Sequence, residues 1–217
     1  MLFTINGIEN NFKINHLVIA GWTARDQKAV QIHIDELAEI GVAPPSNVPL
    51  YYRASNLLVT QDNLVEVVGE GSSGEVEPLI IKSAGKLFLG IGSDHTDREL
   101  EVQSVAFSKQ ICPKPVSNQL WDFEEVKGHI DKLEMKSWLD EGKGWTLYQT
   151  GTLASIRPLI ELIEKADLKE DSAMLCGTFA AIGGVRKTPK FRMSLFDPIL
   201  DRTIEAQYDT VELPSVK

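Results

Sequence analysis

Short apolar runs, broken every few residues by glycine, proline or asparagine, set the pattern of this chain, and most of them read as strands. Residues 2–7 and 12–14 flank an asparagine-rich turn and predict a small hairpin; Val18-Ile19-Ala20 predicts another strand, closed by Gly21. One early segment follows helical spacing instead. Over residues 25–40, Val30, Ile34 and Leu37 fall on one face, and Gly41 stops the pattern before Pro44-Pro45. Residues 48–53, 57–59 and 64–68 continue the strand-rich centre, and the Gly/Ser stretch 69–74 leads into 74–81 and then 87–91, both read as strands. Residues 123–138 are read as helix or loop, 159–166 as a helix, and everything from Met174 onward as strands and turns. The expectation is a single mainly β domain with some helix (α+β), and a helical arm near the N-terminus.

Composition narrows the function classes. At 217 residues with 43% hydrophobic and 24% charged positions, the chain can bury a sizeable core and is not a disordered protein. A formal net charge of −9 argues against a general nucleic-acid binder, which needs clustered Lys and Arg. Cys112 and Cys176 are too few for a disulfide framework and are expected as reduced thiols. The N-terminus lacks a basic region followed by an apolar run, and no segment approaches the ~20 apolar residues that cross a bilayer. These features predict a cytoplasmic protein with neither a nucleic-acid nor a membrane partner.

The candidate chemistry lies in two acidic clusters, Glu75-Val76-Glu77 and Asp94-His95-Thr96-Asp97-Arg98-Glu99. Side chains two apart on a strand share a face, so Glu75 and Glu77 project together. Asp94 follows the next apolar strand and can supply a third oxygen ligand. Three carboxylates suit Mg²⁺, Mn²⁺ or Ca²⁺ rather than zinc. A solvated strand edge carrying acidic residues remains the alternative.

Four segments carry a resemblance covering residues 21–213. Pro49-Leu50-Tyr51-Tyr52-Arg53-Ala54-Ser55 is similar to a strand ending in Lys-Pro, and Gly74-Glu75-Val76-Glu77 to a His-Glu-x-Glu metal strand. Asp94 to Glu99 resembles an Asn-Asp-x-Ser-Ala-Arg-Asp segment, and Ser172 to Gly183 an Asp-x-Ile-Leu-Thr-Gly-Thr-Pro-x-Gly-Val-Gly segment. Ser108-Lys109-Gln110 before Cys112-Pro113, and the run from Gln149 through Thr152, fall in the expected order between them. The set resembles the fumarylacetoacetate hydrolase superfamily, most closely a bacterial branch of it. The resemblance implies a mixed β-sandwich or β-roll, residues 1–45 acting as a lid, and association as a homodimer. It implies Glu75, Glu77 and Asp94 as ligands of one divalent cation, Mg²⁺ foremost, with Mn²⁺ or Ca²⁺ as alternatives. The implied activity is hydrolytic C–C cleavage, or a related lyase step, on a small 2-oxo acid or acylpyruvate through a metal-stabilised enolate. The alternatives are a decarboxylase, isomerase or dehydratase on the same site, or a non-catalytic binding protein of the same fold.

The same resemblance places Lys109 near the substrate oxygens. It makes Arg98 a carboxylate clamp or a partner of Glu99, has Thr178 donate to substrate, and lets Gly177 bring the backbone close. Arg53 stands where the family has its lysine. His33 and Glu36, at i and i+3 on the first helix, match the family's base pair. His95 is a rival base, ranked lower because a neighbour of a strand-end ligand faces away from it. Departures are Arg53-Ala54 for Lys-Pro, Gly74 for a common histidine, Pro78 within the metal strand, Cys176 and Phe179 around Gly177-Thr178, and a short interval from Glu77 to Asp94.

Overall fold

Two β-sheets packed face to face account for most of the chain in a computed structural model, which describes residues 1–39, 41 and 43–216 apart from the side chains of Ala29, His33, Glu36 and Leu37. The larger sheet has eight strands. In spatial order they are Ile8–Asn11, Leu2–Ile5, Gln119–Asp122, Lys86–Ser93, Val76–Ser83, Ser172–Leu175, His16–Gly21 and Leu50–Ala54. Leu2–Ile5 pairs parallel with Gln119–Asp122 and Ser172–Leu175 parallel with His16–Gly21, so the sheet is mixed. The second sheet runs Trp145–Thr152, Glu134–Asp140, Lys190–Asp197, Arg202–Leu213 and Leu64–Val68. Five α-helices are described, Gln27–Glu39, Arg98–Glu101, Val105–Gln110, Phe123–Val126 and Leu159–Lys165, and none is long and apolar enough to cross a membrane.

Strand alternation builds the core. Val76, Ile80, Leu89 and Ile91 turn one way into a cluster with Met135, Leu139, Phe191, Met193, Leu195 and Ile204 from the second sheet. Their neighbours Leu79, Ile81 and Phe88 turn the other way, onto Phe3, Leu17 and Leu120. Strands buried on both faces read as continuous apolar runs, which is why Leu79-Ile80-Ile81 shows no alternation.

Two sequence expectations change, and the departure at Pro78 finds its reason. Residues 123–138 are neither one helix nor a loop: Phe123–Val126 is a single helical turn capped by Asp122, Ile130–Lys132 is a 3₁₀ turn, and Glu134–Asp140 is a central strand of the second sheet. Residues 57–59 divide between the 3₁₀ turn Asn56–Leu58 and the two-residue strand Val59–Thr60. Pro78 lies inside an interior strand, yet it breaks no ladder bond. Its carbonyl accepts from Cys176 N at 3.1 Å, just past the end of Ser172–Leu175, so the side on which a proline lacks an N–H faces a strand that has already ended.

Candidate metal centre

A tight hairpin makes the site. Two eight-residue strands, Val76–Ser83 and Lys86–Ser93, are joined by Ala84 and Gly85, both with positive φ (53° and 72°), as a type I′ turn requires. The register runs from Ser83 opposite Lys86 to Val76 opposite Ser93. One further step sets Asp94 across from Glu75, and Asp94 N donates to Glu75 O at 2.9 Å. Cross-strand partners share a face, as do residues two apart. Glu75, Glu77 and Asp94 therefore converge, each offering a carboxylate oxygen within 4.8 Å of the others. The short interval between Glu77 and Asp94 follows from two equal strands and a two-residue turn.

His95 points away from them. Its ring nitrogens lie 2.8 Å from Tyr208 Oη and 2.9 Å from Ser72 Oγ, and burial together with the nearby Lys114 and Arg98 pushes its pKa down to about 3. It is a neutral, buried structural histidine, not a rival base facing the carboxylates. Gly74 belongs to the same packing. A Cβ there would sit 2.5 Å from Tyr208 Oη and 3.1 Å from the Phe191 ring, so the space of the family's common histidine is filled by these aromatics.

The three carboxylates differ electrically. Asp94 is fully buried, which alone would raise its pKa, but the ammonium groups of Lys109 and Lys114 outweigh burial and lower it. Lys109 Nζ pairs with Asp94 Oδ2, and Lys114 Nζ lies 3.3 Å from Oδ1. Burial opposes the charge on Lys109, and the surrounding carboxylates overcome it and hold the side chain as an ammonium. Glu75 is 3.1 Å from the Arg98 guanidinium, which also donates to Glu101 at 2.9 Å and to Ser73 Oγ at 2.7 Å. Arg98 thus pairs with Glu75 and Glu101 and not with Glu99, one of its two expected roles; burial opposes its charge, and these carboxylates outweigh burial and keep it cationic.

Although the Lys109 ammonium acts on it from nearby, Glu77 forms no ion pair among the described residues. Its Oε2 accepts one bond, from Gly177 N at 2.8 Å, and burial beside Asp94 raises its pKa well above the usual carboxylate range. Asp94 Oδ1 is buried with the Lys114 ammonium 3.3 Å away and accepts no well-aligned hydrogen bond. A buried carboxylate short of partners, a second one whose Oδ1 accepts no well-aligned hydrogen bond and an all-oxygen donor set are what a hard divalent cation satisfies. The residues present fit such an ion.

The Gly177-Thr178 loop is built from strain only glycine tolerates. Gly177 has φ +100°, and a Cβ there would lie 1.7 Å from Thr23 Oγ1. Thr178 Oγ1 donates to Val76 O at 2.7 Å and accepts from Gln149 Nε2 at 2.7 Å. Its proton is therefore directed to the protein backbone and not toward a substrate. Gln149 is itself fully engaged: Nε2 also donates to Phe179 O, and Oε1 accepts from Val76 N and Ser137 Oγ.

Glu75, Glu77, Arg98, Lys109, Gly177 and Thr178 all border one cavity of about 1040 Å³. Arg53 does not. Alternation along Leu50–Ala54 turns Tyr52 to the cavity and Arg53 to the other face, where it donates to Ala166 O at 2.9 Å. The helix Gln27–Glu39 reaches the cavity through Val30 and Ile32, but the side chains of His33 and Glu36 lie outside the described residues. Lys114 and Tyr52 had escaped sequence reasoning. Lys114 is wholly buried on a two-residue strand paired with Val59–Thr60, a placement no local pattern marks.

The family described as "Protein of unknown function (DUF2848)" matches residues 20–208. No curated protein matches the chain. Solved structures match closely in shape at low identity. That of Cg1458 has 15% identity and a TM-score of 0.63, covering 96% of this chain and 83% of its own. The 2-keto-3-deoxy-D-arabinonate dehydratase complexed with magnesium and 2,5-dioxopentanoate has 14% identity and a TM-score of 0.63, covering 94% and 75%. The 4-oxalocrotonate decarboxylase from Pseudomonas putida G7, complexed with calcium and acetate, has 13% identity and a TM-score of 0.56, covering 93% and 78%. The fold is the fumarylacetoacetate hydrolase-like α+β fold expected from the sequence.

Proposed function

Since the chain belongs to the DUF2848 family and has a fumarylacetoacetate hydrolase-like fold, we propose that it is a divalent-metal-dependent enzyme acting on a 2-oxo acid. The observation that carries this reading is the convergence of Glu75, Glu77 and Asp94, two of them at the wall of a large cavity and Asp94 buried behind them, with no ion pair to Glu77 among the described residues. Magnesium or calcium named in two structures of the same fold supports a divalent ion here, as does their acid chemistry. When bound, the ion supplies Lewis-acid polarisation of a substrate carbonyl and carboxylate. The chain's own groups do the rest. Lys109 holds an ammonium at the edge of the cavity, within reach of negative charge that grows on substrate oxygens. Arg98, clamped by Glu75, Glu101 and Ser73, fixes the orientation of Glu75. The Gly177 N–H does the same for Glu77.

The reaction follows from what abstracts or returns a proton. Hydrolytic C–C cleavage requires a base for water, and His33 oriented by Glu36 on the helix beside the cavity is the proposed one. If another group serves, decarboxylation or dehydration is the favoured step. Thermal unfolding tests the metal first. Saturating Mg²⁺ or Mn²⁺, at about 100 times its dissociation constant, stabilises the folded chain by about 2.7 kcal/mol, a rise of roughly 5–10 °C for a chain of this size. Glu77→Ala abolishes that rise. Absence of any rise with the native chain would refute the reading. A screen of 2-oxo acids and acylpyruvates with the native chain and His33→Ala then separates the reactions: hydrolysis that survives His33→Ala at the native rate removes the proposed base.

A further inference from the structure

The cavity is far larger than the chelating end of an oxo acid. Its volume of about 1040 Å³ lies at the top of the range of about 300–1,000 Å³ that suits drug-sized ligands. Away from the carboxylates its wall is largely apolar, with Trp22, Tyr52, Val105, Tyr148, Phe179 and Ala181 among the lining residues. Trp22 adopts φ +62°, a left-handed conformation that a bulky side chain avoids unless its surroundings impose it. There its indole N–H donates to Tyr52 Oη at 3.3 Å, so the two aromatic rings stand together in the wall.

Cationic groups in the wall are already engaged. Among the described lining residues these are Arg25, Arg98 and Lys109. Arg25 forms a bidentate pair with Asp131 at 2.7 and 2.8 Å, Arg98 lies between Glu75 and Glu101, and Lys109 pairs with Asp94. Against these three cations the same lining holds four carboxylates, Asp26, Glu75, Glu77 and Glu101. Asp131 and Asp94, which do not line the cavity themselves, already neutralise Arg25 and Lys109, and Glu75 and Glu101 more than offset Arg98, so the positive charge open to a substrate is that of a bound divalent cation. A substrate carboxylate on that cation has its partner, and a second one away from it would be buried without one, which is costly. Arg186, beyond the lining, is stacked 5.1 Å over Tyr148 and donates to Ile182 O and Gly184 O.

Resting on the metal and oxo-acid reading above, we propose that the substrate is a monocarboxylate: a 2-oxo acid whose single carboxylate lies at the metal end and whose body is aromatic or otherwise apolar. The aromatic wall, led by Trp22 and Tyr52, selects that body, and the lack of a spare cation among the described lining residues rejects a second carboxylate away from the metal.

Calorimetric titration of the Mg²⁺-loaded full chain separates the two readings by binding alone. Three probes are used: oxalate as the bare chelating end, 2-oxo-4-phenylbutanoate as the apolar candidate, and 2-oxoglutarate as the dicarboxylate. The expected result is that oxalate binds and that 2-oxo-4-phenylbutanoate binds at least about tenfold tighter than 2-oxoglutarate. Trp22→Ala and Phe179→Ala should each shrink that ratio. If oxalate binds but 2-oxoglutarate binds as tightly as the phenyl acid or tighter, the monocarboxylate inference is overturned while the metal reading stands. If oxalate fails to bind the Mg²⁺-loaded protein, both readings fall.

Discussion

At φ +100°, Gly177 turns its N–H onto Glu77 Oε2, and the backbone there has no room for a side chain beside Thr23. Gly177→Ala combines a forbidden conformation with a steric overlap and should destabilise the fold by about 3 kcal/mol, read as a lower urea midpoint. It should also weaken stabilisation by Mg²⁺, because the displaced backbone no longer aims its N–H at Glu77. A midpoint within error of the native chain would sink the argument. Lys114 makes a second case. Its ammonium is wholly buried between Asp94 and His95 O, and removing one partner of a buried charge cluster costs about 3 kcal/mol. Lys114→Met should therefore lower the urea midpoint comparably, although the residue does not line the cavity; an unchanged midpoint would show the cluster to be dispensable. The contrast between these residues and the carboxylates explains what was legible. Glu75, Glu77 and Asp94 are related by strand period and one hairpin, both local. Lys114, Tyr52 and the engaged hydroxyl of Thr178 depend on partners far away in sequence, and no spacing rule reaches them.

Elements show the same division. Strands with a plain apolar run were readable, whereas residues 123–138 were not, because a one-turn helix, a 3₁₀ turn and a strand succeed one another there too quickly for any period to emerge. What ties this segment down is tertiary. His129 Nε2 lies 3.0 Å from both oxygens of Asp197, which also accepts from Ile199 N at 2.9 Å and Leu200 N at 3.2 Å. Asp197 thereby joins the segment to the turn between Lys190–Asp197 and Arg202–Leu213. Burial would raise its pKa, but the His129 bond and the two backbone donors prevail and lower it. A carboxylate whose folded pKa lies below its unfolded value of about 3.9 binds more protons when unfolded. The stability it contributes is thus present above that value and lost as pH falls through the folded one. Asp197→Asn should cost about 1–2 kcal/mol at neutral pH. Below about pH 4 its urea midpoint should fall less steeply than that of the native chain. Parallel midpoint curves for the two proteins would contradict this account.

On the scale of the whole molecule, the two-sheet architecture was legible as a resemblance carried by motif order, since alternation alone cannot say which strands pair. The homodimer is the expectation of that resemblance still to be tested, and the surface gives it a physical basis. The helix Val105–Gln110 turns Ser108 and Lys109 inward, while on its outer side Phe107 is 65% exposed and Ile111, the residue that caps it, 49% exposed. Next to it, where Gln110 Oε1 accepts from Ser55 N, Leu57 is 86% exposed. Large apolar side chains on adjoining segments mark an association surface more readily than single scattered ones do. Cover from a second copy would also buttress the helix that presents Lys109 to the cavity. Sedimentation equilibrium should then give a mass about twice the 24.1 kDa of the chain, and Phe107→Glu should shift it toward the single-chain value by placing a charge in the contact. The accompanying change in Mg²⁺ stabilisation should be small, since Phe107 touches none of the carboxylates. A native chain that sediments as a monomer at micromolar concentration would end the dimer reading and leave this face to a different partner.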